Sequence, residues 1–488
     1  MKIALAQMEV VPNRPKRNLE NMLKMIDEAK EKKVDLIAFP EMCVGGYLLG
    51  DEWLDNNFVL NLMSFNETIR KASKGIAVAY GNIYFDKDIN ERVKDKNFHP
   101  NKDGRIRKYN AVYIFQNGKQ ARRLKETNIL PKGVQPKTLL PNYRFFDDER
   151  YFFSLQDIAK DFGRELSDLT QPYLIEIDGK DVPIGFELCE DLWCEDYRKN
   201  GRALNPTKTL IENGAELIIN ISASPWTFGK NRARDRRIRF LKEECNDSFV
   251  PFLYVNCTGV QNNGKNFITF DGGSTVYNSK GETIIFSKAA YEQELLIINK
   301  NDFKKDLVER VEEDKTREKY NALINGIRHI KDSTGMDDDP KFVVGMSGGI
   351  DSSVVAALLV KAVGSDKVLG INMPTRYNSD KTKKAAEYVA SQLDIPYFVA
   401  PIEDLVKVNE QVLENIKVFG EKGRLTTANK ENVQAKIRGT SILSNFAAMY
   451  GALFTNNGNK DEIALGYATL YGDWGGALSI IGDLTKAE

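Results

Sequence analysis

The feature that most constrains the fold is the regular alternation of short apolar runs with amphipathic segments. Runs of strand length occur at KIALAQ (2–7), VDLIAFPE (34–41) and AELIINISAS (215–224), whereas NLENMLKMIDEAKEKK (18–33) has the spacing of an amphipathic helix. Strands that alternate with helices predict a layered α/β architecture. Because 488 residues exceed the roughly 100 to 200 residues of an ordinary domain, at least two such units are expected.

The charges of the chain are balanced, with 69 basic and 69 acidic residues. Without a net field, binding to nucleic acid or to an anionic membrane is not expected. Gln7 and Glu9 interrupt the first apolar run too early for a signal peptide, and the chain has no stretch of about eighteen apolar residues that would span a bilayer. These features predict a cytoplasmic protein.

A run of mixed charge, NKNDFKKDLVERVEEDKTREK, separates two patterned regions at residues 299–319. Dense mixed charge is typical of exposed surface, so the run is interpreted as a connector, with domains at residues 1–300 and 301–488. The second region repeats strand, tight turn and helix, as in KFVVGM followed by SSVVAALLVKAV and then KVLGINMP. This order predicts a doubly wound parallel sheet with its ligands at the carboxyl ends of the strands.

Five cysteines in a long chain without a secretion signal predict free thiols. The chain has two histidines, His99 and His329, and neither lies beside a strand-end cysteine signal, so a cysteine nucleophile is expected to use another base.

Three reactive side chains follow or adjoin apolar runs in the first domain. Glu41 follows LIAFP, Cys189 follows VPIGFEL, and Lys137 lies in QPKTLLPNY. A cysteine near its free pKa is mostly protonated at neutral pH, so attack on an amide requires a base, and a carboxylate such as Glu41 suits that role. A lysine such as Lys137 can stabilise the resulting oxyanion.

Six segments of the first domain carry a resemblance to a known family: FPEMCVGGY, KTLLPNY, FDDERYF, ELCEDLW, NISASPW and FDGGS. In this order they resemble the nitrilase-type glutaminase domain of glutamine-dependent NAD synthetases. The resemblance implies a four-layer αββα sandwich, with Glu41 as general base, Lys137 as oxyanion stabiliser and Cys189 as the nucleophile that forms a glutamyl thioester. It also implies a glutamine pocket lined by Tyr47, Glu190, Ser224 and Lys230.

The chain departs from the family's pattern at two of these positions. Many relatives have arginine where Lys230 stands, and the substitution keeps the charge but loses the bidentate fork. Asp148 stands where the family usually has a glutamate, and an auxiliary carboxylate role for it is a hypothesis. Lys125, in RLKETNILP, is a rival to Lys137, but the K-x-x-x-P-N-Y pattern favours Lys137. The remaining cysteines are interpreted as packing residues: Cys43, Cys194, Cys245 and Cys257.

The turn GMSGGIDSS (345–353) follows a strand and opens a helix in the second domain. Glycines and free N–H groups at a helix start suit a phosphate. Neither a Walker loop nor a G-x-G-x-x-G fingerprint is present, whereas S-G-G-I-D-S resembles the loop of ATP pyrophosphatases. The downstream segments ENVQAKIRG, NNGNKDE and GYATLYGDWGGALSIIGDLTK resemble the NAD synthetase branch of that superfamily.

This second resemblance implies ATP as substrate and Mg²⁺ as cofactor. ATP binding is implied for Ser347, Gly348, Gly349, Asp351, Ser352 and Ser353, of which all but Asp351 would contact the phosphates. The resemblance assigns Mg²⁺ to Asp351 with Glu462, and the dinucleotide to Arg438, Asp473 and Lys486. The chain departs from the family in the segment that contains Arg438, because relatives often have arginine where Lys436 stands.

The resemblances together imply a glutamine-hydrolysing ligase. Ammonia released at Cys189 would amidate nicotinic acid adenine dinucleotide activated as an AMP ester, giving NAD, AMP, pyrophosphate and glutamate. Two alternatives stay open: a related ligase with another acceptor, and a stand-alone amidase whose second domain only binds a nucleotide. The family also implies a homo-oligomer. Because its members continue beyond GDLTK, we expect a C-terminally incomplete second domain that makes NAD poorly.

Overall fold

The chain forms two compact units, Met1–Glu313 and Asp314–Glu488. The computed structural model describes residues 1–89, 106–199, 202–262, 264, 266–311, 314–331 and 340–488. His99 lies outside the described residues.

The first unit extends further into the charged run than the boundary at residue 300 that the sequence predicted. Arg310 Nε donates to Asp235 Oδ2 at 2.8 Å, and the Val308 N–H donates to the Thr283 carbonyl at 2.7 Å. This part of the run is therefore anchored to the first unit, because its arginine pairs with a buried carboxylate there.

In the described part of the first unit, two strands have ten residues, one has nine, and the others have six or fewer. In chain order they are β1 Lys2–Gln7, β2 Leu36–Ala38, β3 Ala77–Asp86, β4 Arg107–Gln116, β5 Lys119–Gln120, β6 Arg122–Arg123, β7 Val134–Pro136, β8 Tyr173–Ile177, β9 Lys180–Leu188, β10 Arg198–Lys199, β11 Arg202–Ala203, β12 Leu217–Ser222, β13 Phe252–Asn256, β14 Thr258–Asn262, β15 Phe267–Asp271, β16 Thr275–Tyr277, β17 Thr283–Phe286 and β18 Glu294–Asn299.

Helices complete the described part of this unit. The α-helices are α1 Pro15–Glu31, α2 Asn56–Ala72, α3 Asp148–Tyr151, α4 Leu155–Asp161, α5 Leu166–Leu169, α6 Pro206–Glu212 and α7 Lys230–Cys245. Segments of 3-10 helix occur at Gly50–Leu54, Cys189–Asp196, Asn246–Ser248 and Lys300–Lys304.

Two seven-stranded sheets pack face to face in this unit. One sheet has the order β18-β1-β2-β3-β4-β5 with β7 also paired to β4, and the other has the order β17-β16-β13-β12-β9-β8-β6. Apolar side chains from both sheets form one core between them. Helices α1 and α2 cover the outer face of the first sheet, and α6 and α7 cover that of the second. The predicted αββα sandwich is confirmed.

Strand periodicity explains this layering. In β1, Ile3 and Leu5 face the second sheet, whereas Ala4 and Ala6 face the helices, because successive side chains of a strand point to opposite faces. Helix α1 buries Met22, Met25, Ile26 and Ala29, the three- and four-residue spacing of one helical face.

The second unit contains a five-stranded sheet in the order β21-β20-β19-β24-β25, in which every pair is parallel. Its strands, with one separate hairpin, are β19 Lys341–Gly345, β20 Val368–Asn372, β21 Tyr397–Val399, β22 Lys417–Val418, β23 Glu421–Lys422, β24 Ala452–Asn456 and β25 Leu478–Ser479. Its helices are α8 Lys315–Arg328, α9 Ile350–Val363, α10 Asp380–Gln392, α11 Glu403–Asn415, α12 Thr427–Lys436, α13 Ser444–Met449 and α14 Lys460–Leu465, with a 3-10 turn at Ser365–Lys367 and a π-helix at Ile437–Leu443.

The parallel order confirms the predicted doubly wound sheet. Val343 and Ile371 of the sheet share a core with Val406 of α11, with Ile402 directly before that helix, and with the π-helix. Helix α9 contacts β19, β20 and α8. Strand β19 leads directly into the glycine-rich turn, so the turn lies at the carboxyl end of the sheet, where ligands of this architecture bind.

The five cysteines are buried free thiols, as the sequence predicted. No helix in the described part of the chain combines the length and apolar character needed to cross a bilayer.

Candidate active sites

Cys189 is held at a sharp turn where β9 ends. Leu188 is the last residue of the strand, and Cys189 opens a 3-10 helix with a φ of +39°. Positive φ is unfavourable for a residue with a side chain, and such strain is concentrated at functional positions. The Cys189 side chain is buried, with 7% of its surface exposed. The turn therefore presents a thiol at a strand end in an enclosed site.

Glu41 and Lys137 form a fully buried ion pair. Lys137 Nζ lies 2.7 Å from Glu41 Oε1, and the side chains are 1% or less exposed. Asn110 Nδ2 donates to the same oxygen at 2.7 Å, and the Ala223 N–H donates to Oε2 at 2.9 Å. Both oxygens of the carboxylate are thus fixed by donors from three other segments of the chain.

The electrostatics of the site hold charge on the lysine and a proton on the cysteine. Burial alone would lower the pKa of Lys137, but the negative charges of Glu41 and Asp148 prevail and keep that pKa well above its ordinary value. Burial raises the pKa of the Cys189 thiol, and Glu41 raises it further, while Lys137 and Lys230 act in the opposite direction. A thiol in this state requires a base before it can attack.

Tyr47 and Asp148 adjoin the same lysine. The Tyr47 hydroxyl lies 2.8 Å from both oxygens of Asp148, and Lys137 Nζ donates to that hydroxyl at 3.2 Å. Burial is the main reason that the pKa of Asp148 rises to about 7. A cavity of about 710 Å³ opens beside Tyr47 and Asp148. Tyr47 therefore borders open space, but its hydroxyl is already engaged with Lys137 and Asp148.

The other residues expected in the glutamine pocket lie in the same unit. Glu190 Oε2 accepts from the Tyr143 hydroxyl and Oε1 from the Tyr197 hydroxyl, each at 3.0 Å. The Ser224 N–H donates to Asn256 Oδ1 at 2.8 Å.

Lys230 begins helix α7, and its ammonium donates to the Pro225 carbonyl. Burial lowers the pKa of Lys230 to about 8, and its charge and that of Glu190 both act on the Cys189 thiol.

The rival lysine, Lys125, has a different environment. Its side chain is exposed, whereas Lys137 is 0% exposed and contacts Glu41 directly. This contrast supports the choice of Lys137.

In the second unit, the glycine-rich turn joins β19 to helix α9. Gly348 has a φ of +82°, and a Cβ there would lie 2.1 Å from the Thr382 carbonyl oxygen, so glycine is required by both conformation and space. Gly349 caps the helix without any side-chain hydrogen bond. The first N–H groups of the helix and its dipole therefore suit an anion.

Serine hydroxyls brace this turn. Ser347 Oγ accepts from the Gly349 N–H at 3.2 Å, and the hydroxyls of Ser352 and Ser353 donate to the Gly349 carbonyl at 3.2 and 2.8 Å. These three hydroxyls therefore hydrogen-bond to the backbone of Gly349.

Asp351 and Glu462 border one cavity of about 340 Å³ together with the turn. Asp351 Oδ1 accepts from Asn459 Nδ2 at 3.2 Å, and its Oδ2 lies 3.4 Å from Lys486 Nζ. The same Asn459 donates its N–H to Glu462 Oε2 at 3.1 Å. Within the described ranges no three potential ligand side chains converge. Two carboxylates fit Mg²⁺ nonetheless, because this ion commonly takes one or two carboxylates and completes its shell with phosphates and water.

Arg438 and Asp473 line the same cavity. Arg438 lies in the π-helix, a feature frequent at functional sites, and its Nε donates to the Met373 carbonyl at 3.3 Å. Burial lowers the pKa of Arg438, and the nearby charge of Asp473 opposes that shift. Lys486 is not among the residues that line this cavity, and its ammonium instead pairs with Asp351.

Several residues at these sites were missed by the sequence analysis. Asn110 and Tyr197 lie in no motif that the sequence analysis used. Tyr143 ends the K-x-x-x-P-N-Y pattern, so its position was visible although its hydrogen bond to Glu190 was not. Asp191 is the third residue of the C-E-D sequence within ELCEDLW, so its position was visible although its role was not.

Comparison with known proteins assigns each unit to a family. Residues 2–304 match the carbon-nitrogen hydrolase family, and residues 320–488 match the NAD synthase family. The glutamine-dependent NAD(+) synthetases of Synechocystis sp. and Thermotoga maritima are each 30% identical to the chain, covering 100% of it and 79% of the relative.

A solved structure agrees with these relatives. The glutamine-dependent NAD+ synthetase of Acinetobacter baumannii, in complex with adenosine diphosphate, superposes with a TM-score of 0.78 at 26% identity. The match covers 100% of this chain and 80% of the other. The two matched families, the relatives that match along the whole of this chain, and the shared fold agree. The chain therefore belongs to the glutamine-dependent NAD(+) synthetases.

Proposed function

We propose that the first unit hydrolyses glutamine at Cys189. The observation that carries this proposal is the buried pair of Glu41 and Lys137, whose charges act on the thiol at the strand-end turn. Glu41 takes the thiol proton while the Cys189 sulfur bonds to the amide carbon, and the Lys137 ammonium stabilises the oxyanion. Return of the proton to nitrogen releases ammonia and leaves a thioester, which water then hydrolyses to glutamate and free thiol.

In this proposal the polar side chains around Cys189 bind the glutamine. The buried carboxylate of Glu190 accepts from the substrate's ammonium group, and the cation of Lys230 attracts its α-carboxylate. Ser224 lies in the segment that follows Ala223, whose N–H fixes Glu41. Tyr47 borders the adjacent cavity and positions Lys137 through its hydroxyl.

The second unit, in this proposal, amidates nicotinic acid adenine dinucleotide with the ammonia. The glycine-rich turn holds the phosphates of ATP, and Arg438, Asp473 and Lys486 bind the dinucleotide. Asp351 and Glu462 would hold Mg²⁺, which when bound neutralises charge on the departing pyrophosphate. The activated carboxyl is an AMP ester, so attack by ammonia forms the amide of NAD and releases AMP.

One assay tests the whole proposal against its alternatives. The protein is incubated with ATP, Mg²⁺, the acid dinucleotide and either glutamine or ammonium, and NAD and pyrophosphate are measured. NAD from both donors supports the ligase. Glutamate without pyrophosphate, whichever acceptor is supplied, would instead indicate an amidase with a binding module. Self-association remains a prediction that sedimentation of the same sample measures.

Replacement of Lys137 by methionine is expected to lower the kcat of glutamine hydrolysis roughly a hundredfold or more, because an oxyanion donor is lost. Lys125→Met is the matched control, since it removes an exposed ammonium, and its kcat should stay near that of the parent. Glutamate release at saturating glutamine measures both. A larger loss in Lys125→Met than in Lys137→Met would refute the assignment.

The proposed role of Lys230 predicts a pH dependence. Its pKa is lowered to about 8, so the cation is present below that pH and is lost as the pH rises through it. We expect kcat/KM for glutamine to fall above pH 8 in the parent enzyme. Lys230→Arg should shift this fall upward, because arginine stays charged. Titration of the amino group of glutamine affects both proteins equally. If the pH profiles of kcat/KM for the parent and for Lys230→Arg coincide, Lys230 does not bind the α-carboxylate of glutamine.

A further inference from the structure

Asp191 joins two segments that carry the reactive groups of the first unit. Its Oδ2 accepts from the Leu188 N–H at 3.1 Å, directly before Cys189. Its Oδ1 accepts from the N–H groups of Thr138 and Leu139 at 3.1 and 2.8 Å, directly after Lys137. One carboxylate therefore holds the backbone on the N-terminal side of the nucleophile and on the C-terminal side of the lysine.

The geometry of this contact leaves little freedom. Asp191 is 2% exposed, and the three residues that donate to it are equally buried. Backbone N–H groups cannot rotate or become acceptors, so both oxygens of the side chain must accept. Aspartate is the shortest side chain with two acceptor oxygens. Burial raises the pKa of Asp191 to about 8, and the N–H groups of Leu188 and Leu139 act in the opposite direction because they stabilise the carboxylate.

We propose that Asp191 is a positioning residue that sets the distance between the Cys189 sulfur and the Lys137 ammonium. This inference rests on the proposed glutaminase reaction. The residue touches neither substrate nor reacting atoms, and acts through the two backbone segments. Since displacement of a reacting group by about 1 Å can cost a hundredfold in rate, small movements of either segment should reduce the rate of attack more than the binding of glutamine.

Asp191→Asn is the direct test. Asparagine has one acceptor oxygen, so its NH₂ group must face a backbone N–H of one of the two segments. Two donors cannot hydrogen-bond to each other, so that segment loses its contact and moves away from the other. We expect kcat for glutamine hydrolysis to fall about a hundredfold, with KM changed less than about threefold. Alkylation of Cys189 by iodoacetamide, followed by mass spectrometry across pH, should slow to a similar degree. Ammonium-dependent NAD synthesis should be unchanged and shows that the second unit is folded.

Two further variants make the test decisive. Asp191→Glu keeps both acceptors but adds a methylene, so a loss of about tenfold in kcat is expected, and this variant decides the matter if the asparagine variant does not fold. Asp235→Asn is the matched control, because Asp235 is another buried carboxylate of the first unit, on helix α7, whose partners are the Tyr277 hydroxyl and the Arg310 guanidinium. These side-chain partners can reorient, so kcat should stay within about threefold.

The outcomes separate this inference from the proposed function. Parent-like kcat in folded Asp191→Asn or Asp191→Glu, or an equal loss in Asp235→Asn, would overturn the positioning role. Cys189→Ala is measured in parallel. If Cys189→Ala still hydrolyses glutamine, the proposed function itself fails. If Cys189→Ala is inactive while Asp191→Asn is fully active, only the inference about Asp191 is rejected.

Discussion

Cys189→Ala is expected to abolish NAD synthesis from glutamine while synthesis from added ammonium continues. The substitution removes the atom that forms the thioester, and loss of a nucleophile in a hydrolase of this kind lowers kcat by about ten-thousandfold or more. The second unit keeps its own cavity, with the turn and both carboxylates, because the residues that line it lie between Gly345 and Gly475. Only the source of ammonia is lost.

Two measurements with one preparation check this result. NAD formation is followed with glutamine and with ammonium, and glutamate release is followed separately. Cys245→Ala is the matched control, since Cys245 is also a buried free thiol but lies at the end of helix α7, and it should keep activity with both donors. Equal loss with the two donors in Cys189→Ala would show that the cysteine serves the second unit or the fold instead.

Asp351→Asn should have the complementary effect: pyrophosphate release is lost and glutamine hydrolysis continues. The substitution keeps the size of the side chain but removes one of the two charged ligands proposed for Mg²⁺. It also removes the negative partner of Lys486, which lies 3.4 Å from the carboxylate. We expect pyrophosphate release to fall at least a hundredfold, with some recovery as Mg²⁺ is raised.

Asp366→Asn provides the control for this second prediction. Asp366 is exposed and lies in the 3-10 turn Ser365–Lys367, so its replacement should leave pyrophosphate release unchanged. Normal release by Asp351→Asn at ordinary Mg²⁺ would contradict the assignment of the turn as the ATP site. Glutamate release by the same sample confirms that the first unit is intact.

Much of the fold was predictable because it depends on local periodicity. Strand β1 alternates Ile3 and Leu5 with Ala4 and Ala6, and these two sets face different layers. The apolar run before the glycine-rich turn became strand β19, and the helix after it became α9. The boundary between the units was harder to predict from the sequence. The charged run has the composition of a free connector, but the tertiary contact of Arg310 with Asp235 anchors part of it to the first unit.

The sequence by itself determined which reactive side chains stand at strand ends, since apolar runs fix where strands stop and the motifs identify the residues after each strand. Tertiary structure alone decided how those side chains meet. Glu41 and Lys137 are 96 residues apart yet share a 2.7 Å contact, and Asp191 joins two backbone segments that no motif connects. The periodicity of the sequence determines the face on which a residue lies. Hydrogen bonds between distant segments depend on strand register and on the path of the loops, and these are set only when the two sheets pack together.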